Sequence, residues 1–245
     1  MATRLVQVNM KAHDDAALGA FWAAALGWSV SSEAPGVTNL EPEGFTYPDP
    51  SAVCIDLVAS AEPKTGQNRV HLDLATTSKA HQAELVDRLR SLGARPADVG
   101  QGSDVSWVVM TDPEGNEFCV LDWHDPEHPT GPISTVVVHC ADPRVMADFW
   151  SRATDWTLLR VSDDSAVLRS ARNVGPYLQF LRSPNPKTGW NRVHLDVRPY
   201  PGDDPAAEAA RLRSLGATAI DVGDDVPWTV LADPEGNEFC LLSPG

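Results

Sequence analysis

The second half of the chain repeats most of the first half. The block KTGQNRVHLDL, which begins at Lys64, returns as KTGWNRVHLDV 123 residues later, and WVVMTDPEGNEFCVL, which begins at Trp107, returns as WTVLADPEGNEFCLL 121 residues later. Solenoid repeats have periods of about 20–50 residues, so this spacing predicts a duplicated domain. We expect a first domain at 1–122, a linker at 123–134 and a second domain at 135–245.

Both helical and strand patterns occur in each copy. Leu18, Phe21, Trp22 and Ala25 follow helical spacing after Asp14, which is a favoured N-cap residue. The other three helices are expected to start at Ser78, at Asp142-Pro143 and at Asp204-Pro205. Segments such as AVCIDLV, NRVHLDL and EFCVL alternate in polarity and predict strands. The fold class is therefore α+β, with a strand–helix–three-strand module occurring twice in each copy.

Composition excludes several classes of function. Asp and Glu outnumber Lys and Arg by 34 to 19, and no basic run occurs, so we expect no nucleic-acid partner. No apolar run reaches the roughly 18 residues of a membrane span, and the first residues lack a signal-peptide core. The four cysteines form no CxxC pair and predict reduced thiols in a cytoplasmic protein.

Four βαβββ modules, the FWAAALGW helix, VHLDL after a loop and DPEGNEF before a last strand resemble the vicinal-oxygen-chelate superfamily. This group includes glyoxalase I, bleomycin-resistance proteins and extradiol dioxygenases, and the nearest likeness is to duplicated bacterial glyoxalase-like proteins. The resemblance implies curved mixed sheets with helices outside and a cup that binds a small organic molecule. It also implies a monomer that acts as a fused pseudo-dimer, or a homodimer.

Metal-dependent members of this superfamily hold the ion with four side chains, typically His or Glu. Matched by motif, the four positions fall on Gln7 and Thr135, on Asp56 and Gln179, on His71 and His194, and on Cys119 and Cys240. Neutral Gln and Thr are poor ligands for a divalent cation, whereas Asp, His and Cys thiolate bind zinc or iron. We therefore expect either one divalent metal (Zn, Fe, Ni or Mn), at the site that contains Asp56, or none.

The sequence leaves open how the modules pair. Pairing within one copy would group Asp56 with His71 and Cys119, whereas pairing between copies would group Asp56 with His194 and Cys240. Each of these side chains also has a structural interpretation: the histidines can be hydrogen-bonded, the cysteines can be small buried apolar groups, and Asp56 can pair with an arginine.

Further candidates for ligand contact stand outside the metal positions. His139 lies on the polar face of its predicted strand, and Trp190 replaces Gln67 in an otherwise matching KTGxNR loop. Tyr47 and Tyr177 are additional aromatic candidates. The repeated Lys and Arg of the loop are expected to fix it against acidic neighbours, and the candidates for that role are Asp73 and Asp196.

The sequence favours binding over catalysis. No cup keeps four recognisable metal ligands, and no GxSxG, HExxH or GxGxxG motif is present. We expect binding or sequestration of a small molecule, as in the bleomycin-resistance branch. The alternatives are a metal-dependent lyase, isomerase or dioxygenase acting on a substrate with vicinal oxygens, and a structural or regulatory partner with an empty cup.

Overall fold

The computed structural model describes residues 3–122, 128–222 and 226–244, so residues 123–127 of the predicted linker lie outside the described residues. The first module contains β1 (Arg4–Ala12), α1 (Asp15–Leu26), β2 (Ser29–Ala34), β3 (Val37–Glu41) and β4 (Cys54–Ala59). The second contains β5 (Val70–Leu74), α2 (Lys79–Ser91), β6 (Arg95–Pro96), β7 (Val108–Thr111) and β8 (Glu117–Val120).

The second copy repeats this order. Its first module contains β9 (Ile133–Cys140), α3 (Pro143–Ala153), β10 (Trp156–Val161), β11 (Ser165–Ser170) and β12 (Tyr177–Arg182). The last module contains β13 (Val193–Arg198), α4 (Pro205–Ser214), β14 (Thr218–Ala219), β15 (Thr229–Ala232) and β16 (Glu238–Leu241). The predicted α+β class and the four modules are confirmed.

All four helices begin where the sequence predicts. A side-chain oxygen of the N-cap residue accepts a hydrogen bond from a backbone N–H of the first turn in each case, which satisfies a donor that the helix itself leaves unpaired. The N-cap residues are Asp14, Ser78, Asp142 and Asp204. Within the described part of the chain, no helix is long and apolar enough to cross a bilayer.

The strands form two eight-stranded sheets, and each sheet takes one module from each copy. The first sheet has the order β14-β15-β16-β13-β1-β4-β3-β2, and the second has the order β10-β11-β12-β9-β5-β8-β7-β6. The modules join where β1 lies antiparallel to β13 and where β5 lies antiparallel to β9. Of the two arrangements that the sequence allows, the structure therefore has the one in which modules pair between copies.

The helical core, in contrast, joins the two modules of one copy. Trp22 of α1 packs edge-on against Phe118 of β8 with 5.2 Å between ring centroids, and Trp150 of α3 packs in the same way against Phe239 of β16 at 5.3 Å. All four rings are almost completely buried. Each copy thus packs its first helix against its own last strand, and both sheets are shared with the other copy, so the two copies are joined at two strand pairs.

Candidate ligand-binding cup

We call the polar face of the first sheet, on which Gln7, Asn9, Asp56, His194 and Asp196 lie, the first cup. Strand register sets these residues side by side: Asn9 pairs with Asp56 on one neighbour and with His194 on the other, and Gln7 pairs with Asp196. Val8 and Leu195 point to the opposite face and are buried in the core. Alternation along β1, β4 and β13 therefore collects polar groups from three strands on one surface.

Two side-chain amides hold the carboxylates of the first cup. The Gln7 Nε2 group donates to Asp56 and also to Asp196, the latter at 3.1 Å, and Asn39 Nδ2 donates to Asp56 Oδ1 at 2.5 Å. Burial raises the pKa of Asp56 to about 6, and the nearby charge of Asp196 adds to this rise while the amide hydrogen bonds oppose it. Asp56 is thus a carboxylate that can exchange a proton near neutral pH.

A ring nitrogen of His194 lies next to a carboxylate oxygen of Asp196 and to the sulfur of Cys240. His194 Nε2 is 3.3 Å from Asp196 Oδ1 and 3.5 Å from Cys240 Sγ. Burial raises the pKa of the Cys240 thiol, and the charge of Asp196 raises it further. The second sheet repeats the group as His71, Asp73 and Cys119, and the ligand atoms of each group lie within 4.8 Å of one another.

The group around His194 fits a divalent metal in its donor types. Zinc and iron accept imidazole, carboxylate and thiolate ligands, and the buried Oδ1 atom of Asp196 has no hydrogen-bond partner among the described residues. Asp56 is not a member of this group, and both of its oxygens accept hydrogen bonds from amides. The geometry therefore brings Asp196 to His194 and Cys240, where the motif match named Asp56.

A cavity of about 820 Å³ opens over the first cup. Its lining includes Asp56, Asp196, Arg198, Trp190 and Trp228. Trp190 is 53% exposed, and the ammonium group of Lys11 lies 5.8 Å from its ring centroid. An aromatic side chain that stays this accessible beside a polar cavity is available to stack on a ligand.

The corresponding face of the second sheet, here called the second cup, is less polar. Gln179 takes the place of Asp56, and its neighbours in register are Val137 and Val167, which replace Asn9 and Asn39. Thr135 is buried. It lies beside Asp73, at the position that Gln7 occupies beside Asp196 in the first cup. The amide–carboxylate network of the first cup therefore has no equivalent among these side chains.

His139 lies on the second cup next to His71, with 5.2 Å between the ring centroids. Burial lowers the pKa of His139 to about 4, and the neighbouring His71 and Arg69 act in the same direction. His139 is therefore neutral at physiological pH. It also lines a groove of about 520 Å³ between the two KTGxNR loops, and this groove shares Trp190 with the cavity of the first cup.

The prediction that Asp73 and Asp196 anchor the KTGxNR loops is wrong. Lys64 bonds to Glu117 and Lys187 bonds to Glu238, both at 2.7 Å. These glutamates begin the last strand of each copy and so lie under the loop, whereas the two aspartates lie on the cup floor. The second glutamate of DPEGNEF, which recurs as Glu117 and Glu238, is the sequence feature that indicates these partners.

The loop arginines reach across to the other copy. Arg69 contacts Glu235 at 3.3 Å, and Arg192 contacts Glu114 at 2.5 Å. Each of these glutamates lies in the DPEG turn of the opposite copy and is largely buried. The loops therefore join the two copies as well as bordering the groove.

Sequence comparison identifies the family. The profile of the glyoxalase-like domain matches residues 7–121 and again residues 135–242. The chain belongs to the glyoxalase-like family. No curated protein sequence matches this glyoxalase-like chain.

Solved structures agree with the family at the level of the fold. Glyoxalase I from Zea mays superposes with a TM-score of 0.65 at 17% identity, over 99% of this chain and 92% of that chain. A putative dioxygenase from Bacillus subtilis superposes with a TM-score of 0.65 at 16% identity, over 99% of this chain and 86% of that chain. Both alignments cover almost the whole glyoxalase-like chain, so the resemblance to the vicinal-oxygen-chelate fold is confirmed for both copies.

Proposed function

We propose that the first cup binds a small polar organic molecule. The observation that carries this proposal is the 820 Å³ cavity whose floor holds two neighbouring carboxylates, Asp56 and Asp196, tied together by Gln7. Small-molecule sites usually measure about 300–1,000 Å³ and combine apolar walls with a few fixed polar groups. The role is binding or sequestration, without the four-ligand metal site of the superfamily.

The floor and rim favour a particular kind of ligand. Two carboxylates at the floor accept hydrogen bonds and attract positive charge, so the ligand presents an amine or another strong donor there. The rings of Trp190 and Trp228 offer flat apolar surfaces above the floor. A compact, partly aromatic molecule with a donor group at one end fits this distribution.

A screen by thermal shift tests the proposal, with Asp56→Gln as the variant. This change removes the carboxylate and installs the residue that Gln179 provides at the equivalent position of the second sheet. Gln179→Asn in the second cup is the matched control. We expect compounds that stabilise the wild type and the control but lose at least half of their shift in Asp56→Gln. Equal shifts in all three proteins would contradict the proposal.

The group formed by His194, Asp196 and Cys240 favours a second candidate, a metal-dependent lyase, isomerase or dioxygenase. A divalent metal held by these three side chains would polarise neighbouring oxygens of a substrate. Asp56, whose pKa is about 6 and which shares the amide of Gln7 with Asp196, would be the group that takes up or releases a substrate proton.

Elemental mass spectrometry separates the two candidates. Protein purified without chelator should contain at least one equivalent of metal if the second candidate holds, and Cys240→Ser should lose the equivalent that the first cup holds. Metal below one tenth of an equivalent, even after reconstitution with zinc or ferrous iron, favours the binding proposal.

A further inference from the structure

The end of the first cup near the first residue of β1 holds two arginines side by side. Arg4 of β1 pairs in register with Arg198 of β13, and both side chains lie on the polar face of the sheet. Arg4 is almost fully buried, and its Nη2 donates to Asp155 and to the hydroxyl of Tyr200, the latter at 3.0 Å. Asp155 is thus the carboxylate that balances Arg4.

Arg198 has no such balance. Its guanidinium carbon lies 5.2 Å from the ring centroid of Tyr47, which orients the group, and the Tyr47 hydroxyl donates to the Pro199 carbonyl at 2.8 Å. Among the described residues no carboxylate lies within 4.0 Å of the Arg198 nitrogens, and its buried Nε has no hydrogen-bond partner. An unpaired guanidinium beside a second arginine is electrostatically unfavourable unless an anion joins it.

The fold itself does not require this arginine. The equivalent residue of the first copy is Ala75, which follows the same VHLDL block. Arg198 lines the cavity of the first cup together with Asp56, Asn39 and Trp190, and each of these has a different residue at the equivalent position of the second cup. The charge of Arg198 therefore belongs to the set of features that distinguish the first cup.

We infer that the ligand of the first cup carries a carboxylate group and that Arg198 binds it; this inference rests on the proposed function. A planar carboxylate matches the two-donor edge of a guanidinium. Arg198 and Asp196 are two residues apart on one face of β13, which separates their Cα atoms by about 7 Å. The ligand class is thus a small zwitterion, with its cationic end at the two aspartates and its carboxylate at Arg198.

Calorimetric titration with matched compounds tests the inference. The probes are pairs of small aromatic carboxylates and their primary amides, beginning with 4-(aminomethyl)benzoate and 4-(aminomethyl)benzamide. In the wild type the acid should bind at least about tenfold more tightly than its amide, because a charge-assisted hydrogen bond is lost in the amide. Arg198→Ala should abolish this preference, because the acid loses a charge-assisted hydrogen bond whereas the amide loses only a hydrogen bond to a neutral acceptor.

Three results would overturn the inference or its basis. Equal binding of acid and amide to the wild type, or a preference that survives Arg198→Ala, refutes the carboxylate and leaves the proposed function intact. Failure of every pair at millimolar concentration refutes the zwitterionic ligand class, whereas the proposed function is tested separately by the thermal-shift screen.

The melting temperature of the protein without ligand tests whether Arg198 has a purely structural role. Arg198→Ala should leave the melting temperature unchanged or raise it, because Arg198 lacks an ionic partner, whereas Arg4→Ala should lower it. A loss in Arg198→Ala equal to that in Arg4→Ala would show that Arg198 serves the fold, and would also overturn the inference.

Discussion

Asp56 and Gln179 show how one residue changes the chemistry of a repeated surface. They occupy equivalent positions on β4 and β12, yet only Asp56 brings a half-buried charge, together with the amides of Gln7 and Asn39 that donate to it. A buried carboxylate whose pKa is raised favours the protonated form and costs stability when it ionises. The first cup therefore retains a charge that lowers the stability of the fold, which is typical of a functional position.

This cost predicts a pH-dependent effect of Asp56→Asn. The pKa of Asp56 is about 6 in the folded protein and 3.8 as the ordinary value, so the wild type loses stability from this group as pH rises from about 4 to above 6. The variant has no such loss and should be more stable than the wild type at pH 8, by up to ~3 kcal/mol. At pH 3.5 the difference should vanish.

Urea unfolding at both pH values measures this difference. Because the comparison is made between variant and wild type, other groups with raised pKa values, such as Asp233, cancel. A variant that is less stable than the wild type at pH 8 would show that the carboxylate stabilises the fold, contrary to this account.

At the scale of elements, the DPEG turns tie three modules together. Glu114 accepts hydrogen bonds from the backbone N–H groups of His13 and Asp14, where α1 begins, and also pairs with Arg192 of the other copy. Glu235 makes the same contacts with Ala141, Asp142 and Arg69. The single carboxylate of each glutamate therefore holds both the start of a helix and the arginine of a KTGxNR loop.

Glu114→Gln should therefore destabilise the protein. The amide keeps the shape of the side chain but loses the charge that Arg192 balances, and at least one of the hydrogen bonds that Glu114 accepts is lost. We expect a loss of about 2 kcal/mol in the free energy of unfolding. The exposed Glu43→Gln is the control and should change stability by less than about 0.5 kcal/mol. Equal values for the two variants in urea denaturation would refute this role of the turn.

The sequence predicts elements and faces well because both depend on local patterns. Capping residues locate the four helix starts, and alternation assigns His194 and Asp196 to the polar face of their strand. It does not reveal that β1 bonds to β13, because pairing between distant strands depends on the packing of whole modules. Without that pairing, the closeness of Gln7 to Asp196 and the grouping of Asp196 with Cys240 could not be predicted.

At the scale of the whole molecule, the exchange of modules makes the two copies interdependent. A chain that ends at Asp122 keeps the core around Trp22 and Phe118 but leaves β1 and β5 without their inner neighbours β13 and β9. Exposed strand edges of this kind pair with whatever edge is available.

We expect the fragment 1–122 to form a dimer in which β1 of each chain pairs with β5 of the other. The VHLDL blocks of β5 and β13 are nearly identical, so β5 can replace β13. Light scattering after size exclusion, combined with circular dichroism, measures mass and folding. A cooperatively folded monomer at micromolar concentration would contradict the dependence of each sheet on both copies.

The most direct test of the central claim is to locate a ligand found by the thermal-shift screen. In ¹H–¹⁵N spectra recorded with and without that compound, we expect shifts at the Asn39 side-chain amide and at the indole groups of Trp190 and Trp228. The indole signal of Trp107, which is the counterpart of Trp228 in the first copy, should not shift. Shifts confined to Trp107 and to residues of the second cup would contradict the account, because they would place the ligand on the sheet that lacks the carboxylate pair of Asp56 and Asp196.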